Sequence, residues 1–171
     1  MKKLMRELME MLDSVVVALV AVMILFALVC RVYVVNGRSM EDTLANEDRL
    51  LVSQLFYTPE QGDIVCFLEE GSEKVLVKRV IATEGQTVDI REGRVYVNGT
   101  LLEDEYVKPG NITDESLTLI KFPHTVKEDH VFCLGDHREN SHDSRAFGDV
   151  SENYLLGKVI LRLFPNIGVV D

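Results

Sequence analysis

Val75-Leu76-Val77-Lys78-Arg79-Val80-Ile81 reads as the centre of a long β-strand. The stretch from Lys74 to Thr83 is rich in β-branched residues and holds neither Gly nor Pro, a composition that favours extended backbone. Alternation places Leu76, Lys78 and Val80 on one face. A lysine with apolar neighbours on its own face has two readings. Either it snorkels its ammonium to water, or it is buried, gives up its proton readily and serves as a base.

The pattern repeats on both sides of this strand. Tyr33 to Val35, Arg49 to Val52 and Asp63 to Leu68 precede it, the last entered through Gln61-Gly62. Thr87 to Ile90, Arg94 to Val97 and Leu101-Leu102 follow, with Asn98-Gly99 as a two-residue hairpin turn. Leu117 to Phe122, His130 to Leu134 and Lys158 to Phe164 complete the set. Residues 103–116 read as an acidic, exposed loop punctuated by Pro and Gly. Many short strands with turn signals and little helix predict a mainly β chain, built as a folded antiparallel sheet or partly open barrel.

The N-terminus differs. Ser14 to Cys30 is a run of 17 residues without a charge, bounded by Asp13 and Arg31. As a helix it spans roughly 25 Å, near the short end of what crosses a bilayer. A secretory signal peptide ends in a small-x-small cleavage site, and Val29-Cys30-Arg31-Val32-Tyr33 is not one. A core helix carries a polar face, and this run is apolar all round. The reading is a short segment over 1–13, one transmembrane helix as anchor over 14–32, and a β domain over 33–171. Lys2, Lys3 and Arg6 favour a cytoplasmic N-terminus. The formal net charge of -10 repels phosphate backbones, so no nucleic acid partner is expected. Cys30, Cys66 and Cys133 form no CxxC, which indicates free thiols rather than a zinc or redox site.

Val34-Val35-Asn36-Gly37-Arg38-Ser39-Met40-Glu41-Asp42-Thr43-Leu44 begins apolar, turns at Asn36-Gly37 and then presents Ser39. Nine extended residues from Cys30 reach at most roughly 30 Å, so Ser39 lies close to whatever holds the apolar run. It is either one more turn serine or a nucleophile, which needs a proton acceptor. His124, His130, His137 and His142 sit in no hydrolase motif, and no GxSxG occurs. Lys78 is the other candidate. Leu134 to Val150 is too dense in polar residues for a core element. There Asp143 and Arg145 can pair and fix the loop, with Ser141 free to hydrogen-bond elsewhere. Asp136, His137, His142 and Asp143 are metal-ligand types, but their spacing matches no zinc pattern.

These pieces together resemble the type I signal peptidases, the membrane-bound serine–lysine proteases of bacteria, in their compact Gram-positive form. Nearly the whole chain takes part, in the family's order. The blocks are the anchor, Ser39-Met40 with Thr43-Leu44, Gly62 to Phe67, Val77 to Ile81, and Gly135-Asp136 through Ser141 to Gly148. Asp42 stands where the family usually has proline, and Gly37 where some members place an oxyanion hydroxyl. Ala82 to Gln86 replaces a common Gly-Leu-Pro-Gly-Asp, and His137 replaces an asparagine.

The resemblance implies an endopeptidase that removes signal peptides from exported preproteins at the outer face of the cell membrane. Ser39 would attack the scissile carbonyl and neutral Lys78 would take its proton. Ser141 would orient the amine, the Asp143–Arg145 pair would hold the loop, and the Ser39 N–H would serve the oxyanion. Val35, Met40, Leu44, Leu76 and Val77 would line shallow pockets for small residues at -1 and -3 of the substrate. No cofactor or metal is implied. The implied partners are preprotein signal peptides, the lipid bilayer and a secretion translocase nearby. The implied placement is single-pass, with the catalytic domain extracytoplasmic. Two other readings stand beside it: a serine–lysine protease of the self-cleaving repressor type, and an anchored module that binds signal peptides without cutting.

Overall fold

A computed structural model describes residues 2–41, 43–113 and 118–170. Asp42, one of the departures above, and Leu117, read as the start of a strand, lie outside the described residues. The chain divides into two compact units, Met1–Arg31 and Val32–Asp171.

The first unit is one helix, α1 (Lys2–Val29). It contains no Gly or Pro and is dominated by Leu, Met, Ala and Val, so tertiary-independent propensity alone favours it over most of its length. Arg6 and Glu10 pair across one turn at 2.8 Å. Val15, Val17, Leu19, Met23 and Phe26 are all exposed. Among the described residues, no helix is long and apolar enough to cross a membrane. The helix ends at Val29, three residues short of the expected anchor boundary. Cys30–Val34 is instead the first strand, β1, because Val32, Tyr33 and Val34 prefer pleated backbone.

The second unit is β. Among the described residues ten further strands follow: β2 (Arg49–Ser53), β3 (Ile64–Leu68), β4 (Val75–Thr83), β5 (Thr87–Arg91), β6 (Arg94–Val97), β7 (Thr100–Leu101), β8 (His124–Thr125), β9 (His130–Leu134), β10 (Val150–Ser151) and β11 (Leu155–Phe164). They form a seven-stranded sheet ordered β1-β2-β11-β3-β4-β9-β10 and a four-stranded sheet ordered β7-β6-β5-β8. The β4–β5 turn joins the sheets, with Gly85 at φ +74, a left-handed conformation that glycine adopts freely. The hairpin between β6 and β7 forms at Asn98-Gly99, both with positive φ, the geometry a two-residue turn requires.

Strand β4 is interior to the large sheet. Lys78 lies opposite Val65 of β3, and Val80 opposite Cys133 of β9. Leu76 and Val80 pack with Val65, Phe67, Cys133 and Leu155, so alternation puts Lys78 on an apolar face. Val77 points the other way, into a cluster with Val35, Met40 and Leu44. Ile81 and Ala82 pack with Val88 and Phe132, beyond a register shift in the β4–β9 ladder.

Two expectations are corrected and one is refined. Thr118 to Phe122 is not a strand: the Leu119 N–H is taken by the Arg145 carbonyl at 2.8 Å, and Pro123 has no N–H to offer a ladder. Ile120 and Phe122 still pack against the core, so the alternation was there without the pairing. The acidic loop is exposed at Glu103, Glu105, Lys108, Pro109, Gly110 and Ile112, as expected, but it is docked at Thr113, which is buried, and at Tyr106, which is half-buried. Finally, β11 begins at Leu155, ahead of the expected Lys158. Gly157 permits this, because at φ +135 it crosses the backbone of Ser53, where a Cβ would collide with that residue's carbonyl.

Candidate active site

Two backbone bonds close a loop around Ser39. Val35 N donates to Asp48 O and Glu47 N to Val35 O, each at 2.9 Å. Inside it, Gly37 at φ +112 donates its N–H to Asn46 Oδ1 at 2.8 Å. Thr43 N and Leu44 N both donate to Met40 O, at 2.8 and 2.6 Å. The Met40 and Leu44 side chains are buried and hold this turn down, while Ser39 remains half-exposed.

Lys78 reaches this turn from β4. Its Nζ lies 2.8 Å from Ser39 Oγ and 3.0 Å from the Val77 carbonyl. At 2% exposure the amine does not snorkel to water. Burial moves its pKa below the ordinary lysine range, against the pull of Asp143, Cys133, Asp136 and Glu69. That pull is weaker than the list of neighbours suggests. Burial pushes the Cys133 thiol well above its usual range, so at neutral pH it carries no charge. Asp143 and Asp136 are each spent on an arginine, which cancels much of their field at Lys78. Desolvation is therefore the cause that decides the direction.

Those arginine pairs build the loop after β9. Asp143 receives Arg145 Nε and Nη2 at 2.8 and 2.9 Å, and its carboxylate also takes the Gly135 N–H at 3.1 Å. The expected Asp143–Arg145 pair is thus present, and Arg145 goes on to bind the Arg138 carbonyl at 2.7 Å. The same aspartate caps the short helix α2 (Ser144–Phe147). Asp136 receives Arg79 Nε and Nη2 at 3.0 and 2.8 Å and the Thr43 hydroxyl at 2.5 Å. Both members of the Arg79–Asp136 pair are buried, and removing one partner of such a pair costs about 3–5 kcal/mol. The loop then grips the serine turn directly: His137 N donates to Ser39 O at 3.0 Å.

Gly135 makes that grip possible. A Cβ there would fall within 2.7 Å of Ser141 Cβ and closer still to Ser141 Oγ and the Ser39 carbonyl. Ser141 is therefore packed beside the serine turn. Among the described residues its Oγ is buried and has no hydrogen-bond partner; the contact to Lys78 implied by the resemblance is not formed here.

Of the residues expected to line substrate pockets, Val35, Met40, Leu44 and Val77 lie together in one buried cluster. Leu76 packs half-buried against another. The four metal-ligand types do not converge. Asp136 faces Arg79, Asp143 faces Arg145, His142 faces Glu69 at 3.2 Å, and His137 Nδ1 lies 3.3 Å from the Arg38 carbonyl. Three further residues take part that the sequence does not single out. Gly135 and Arg79 stand in the sequence only as members of family blocks, and Tyr106, whose ring lies 3.8 Å from Arg79 Cζ, sits in a stretch whose composition reads as an exposed loop.

Residues 8–164 match the family model described as signal peptidase, peptidase S26. The chain is similar to a probable signal peptidase I-2 of Synechocystis, 33% identical over 83% of this chain and 69% of that one. It is similar to signal peptidase IB of Staphylococcus aureus, 31% identical over 94% and 91% of the two chains. Among solved structures, a signal peptidase I from Enterococcus faecalis V583 superposes with a TM-score of 0.52 at 29% identity, covering 60% of this chain and 97% of that one.

Proposed function

The chain belongs to the signal peptidase family, peptidase S26, and on that footing we propose that it removes signal peptides from preproteins through Ser39 and Lys78, at the outer face of the cytoplasmic membrane. One observation carries the dyad: a buried amine 2.8 Å from an otherwise ordinary turn serine. Neutral Lys78 accepts the Ser39 proton as Oγ attacks the scissile carbonyl. The Ser39 N–H faces the oxyanion that forms. The resulting ammonium returns its proton to the leaving amine; the neutral Lys78 amine then takes a proton from the water that attacks the acyl ester and passes it to Ser39 Oγ as the carboxylic acid leaves, which restores the free enzyme. Asp143 and Arg145 hold the loop against the serine turn. Ser141, packed beside that turn, orients the amine once substrate is bound. Val35, Met40, Leu44 and Val77 give the apolar ground under the -1 and -3 side chains, with Leu76 on the neighbouring face.

The test is cleavage of a preprotein by the detergent-solubilised chain beside Ser39→Ala. The wild type releases the mature protein and the variant releases none, with its melting temperature unchanged. Equal release by both ends the serine mechanism. If neither cuts, the reading left is an anchored module that binds signal peptides without cutting. The repressor-type reading has no support left, since the family match spans residues 8–164.

The membrane part of the proposal rests on the uncharged run over residues 14–30 and on the exposed apolar side chains of α1. A chain that begins at Cys30 keeps β1 and is expected to stay folded while leaving the membrane fraction. If it pellets with membranes at high salt as the full chain does, residues 1–29 are not the anchor.

A further inference from the structure

From the contacts of the loop over residues 103–113, we infer that Tyr106 is a positioning residue for the serine–lysine site, acting through Arg79 and Asp136; this rests on the peptidase reading above. The Tyr106 ring lies 3.8 Å from Arg79 Cζ and 5.9 Å from Arg138 Cζ. Cations over an aromatic face are attracted by its quadrupole, more strongly where water is excluded. Burial pushes the Tyr106 hydroxyl up to about 12, so the ring stays neutral at every pH at which the enzyme works.

Arg79 is the residue next to Lys78, and it is held on three sides. Asp136 takes two of its N–H groups, the Gly62 carbonyl takes a third at 2.9 Å, and Tyr106 covers its plane. Asp136 in turn accepts from Thr43 in the serine turn, and its own N–H points to Met40 Sδ at 3.4 Å. Tyr106 thus stands at the head of a chain of contacts that ends beside Ser39. Its loop is tied to the same region elsewhere. Asn111 Nδ2 donates to the Asp136 carbonyl at 2.9 Å, and Asp104 pairs with Arg138 at 2.7 Å. The loop is a strap, and Tyr106 is the part of it that bears on Arg79.

Without the ring, the Arg79 plane can turn toward solvent, and Asp136 loses the alignment that keeps Thr43 in place. The Ser39–Lys78 distance then spreads, and water gains access to the amine. The Tyr106→Leu variant should therefore lose kcat by about ten- to a hundredfold with KM little changed. Its ascending pH limb should move to higher pH as Lys78 regains solvation. Tyr106→Phe keeps the ring and should restore both. The measurement is kcat, KM and the pH profile of preprotein cleavage for wild type, Tyr106→Leu, Tyr106→Phe and Ser39→Ala. Tyr106→Leu with wild-type kcat overturns the inference, as does Tyr106→Phe as impaired as Tyr106→Leu. Either result, with wild type active and Ser39→Ala dead, leaves the peptidase reading standing. A wild type that cuts no preprotein overturns that reading and this inference with it.

Discussion

Lys78→Arg is expected to reduce preprotein cleavage by about 10²- to 10⁴-fold, the range over which a positioned general base contributes. Arginine keeps the positive charge but does not surrender its proton. If position 78 supplied only charge, the variant would work. Lys78 is buried on the face of Leu76 and Val80, and burial lowers its pKa. A base of this kind gives activity that rises with pH through the lowered pKa. Near-wild-type turnover in Lys78→Arg would end the dyad.

The same shift makes a statement about stability. The folded state holds Lys78 with a lowered pKa, whereas the unfolded chain titrates at about 10.4. Between those two values the unfolded state binds more protons, so wild-type stability rises with pH across that window. The cost of burying the amine is largest below the folded-state pKa and vanishes above the unfolded one. Lys78→Met removes a proton site but keeps most of the volume. It should be inactive yet melt higher than wild type at neutral pH, with the gain shrinking toward pH 10.4. A melting temperature below wild type at every pH would show that the amine's contacts with Ser39 and Val77 outweigh its desolvation.

Gly135→Ala is expected to cripple the enzyme by a different route. The added Cβ meets the Ser39 carbonyl, which is backbone, and the Ser141 side chain. Neither is the loose end of a long side chain, so the loop and the serine turn must separate. That breaks the His137 N to Ser39 O bond and moves Oγ away from Lys78. A displacement of about 1 Å at a reacting group costs on the order of a hundredfold, and overpacking of this kind costs about 1–3 kcal/mol in stability. Cleavage assays with thermal unfolding separate the two effects. A variant with wild-type kcat and melting temperature would show that the close approach is not needed.

Local chemistry made much of this legible in advance. Strand β4 (Val75–Thr83) lies within one residue of the run from Lys74 to Thr83, because ten residues without Gly or Pro and rich in β-branched side chains favour extended backbone. The Asn98-Gly99 hairpin was equally plain. Thr118 to Phe122 alternates without being a strand, because alternation reports which side chains face the core and not where the N–H groups go. Tyr106 gives no signal in the sequence for a related reason. An acidic sequence with Pro and Gly describes a loop, but its docking depends on Arg79 and Arg138, which come from other parts of the chain. The substrate-lining residues were named by position, yet four of the five are buried in one cluster. The site itself is assembled over long separations: Thr43 and Asp136 meet across 93 residues, and no periodicity reports such a meeting.

The hold of His137 on Ser39 has a consequence for timing. Lys78 needs β9 beside β4 to be shielded, and the serine turn needs residues 135–137 to be gripped. A chain still being made has neither until residues 130–137 have emerged, since domains fold as units. Ser39 therefore leaves the ribosome well before the residues that arm it, and the site is incomplete until residues 135–137 have followed and closed on the serine turn.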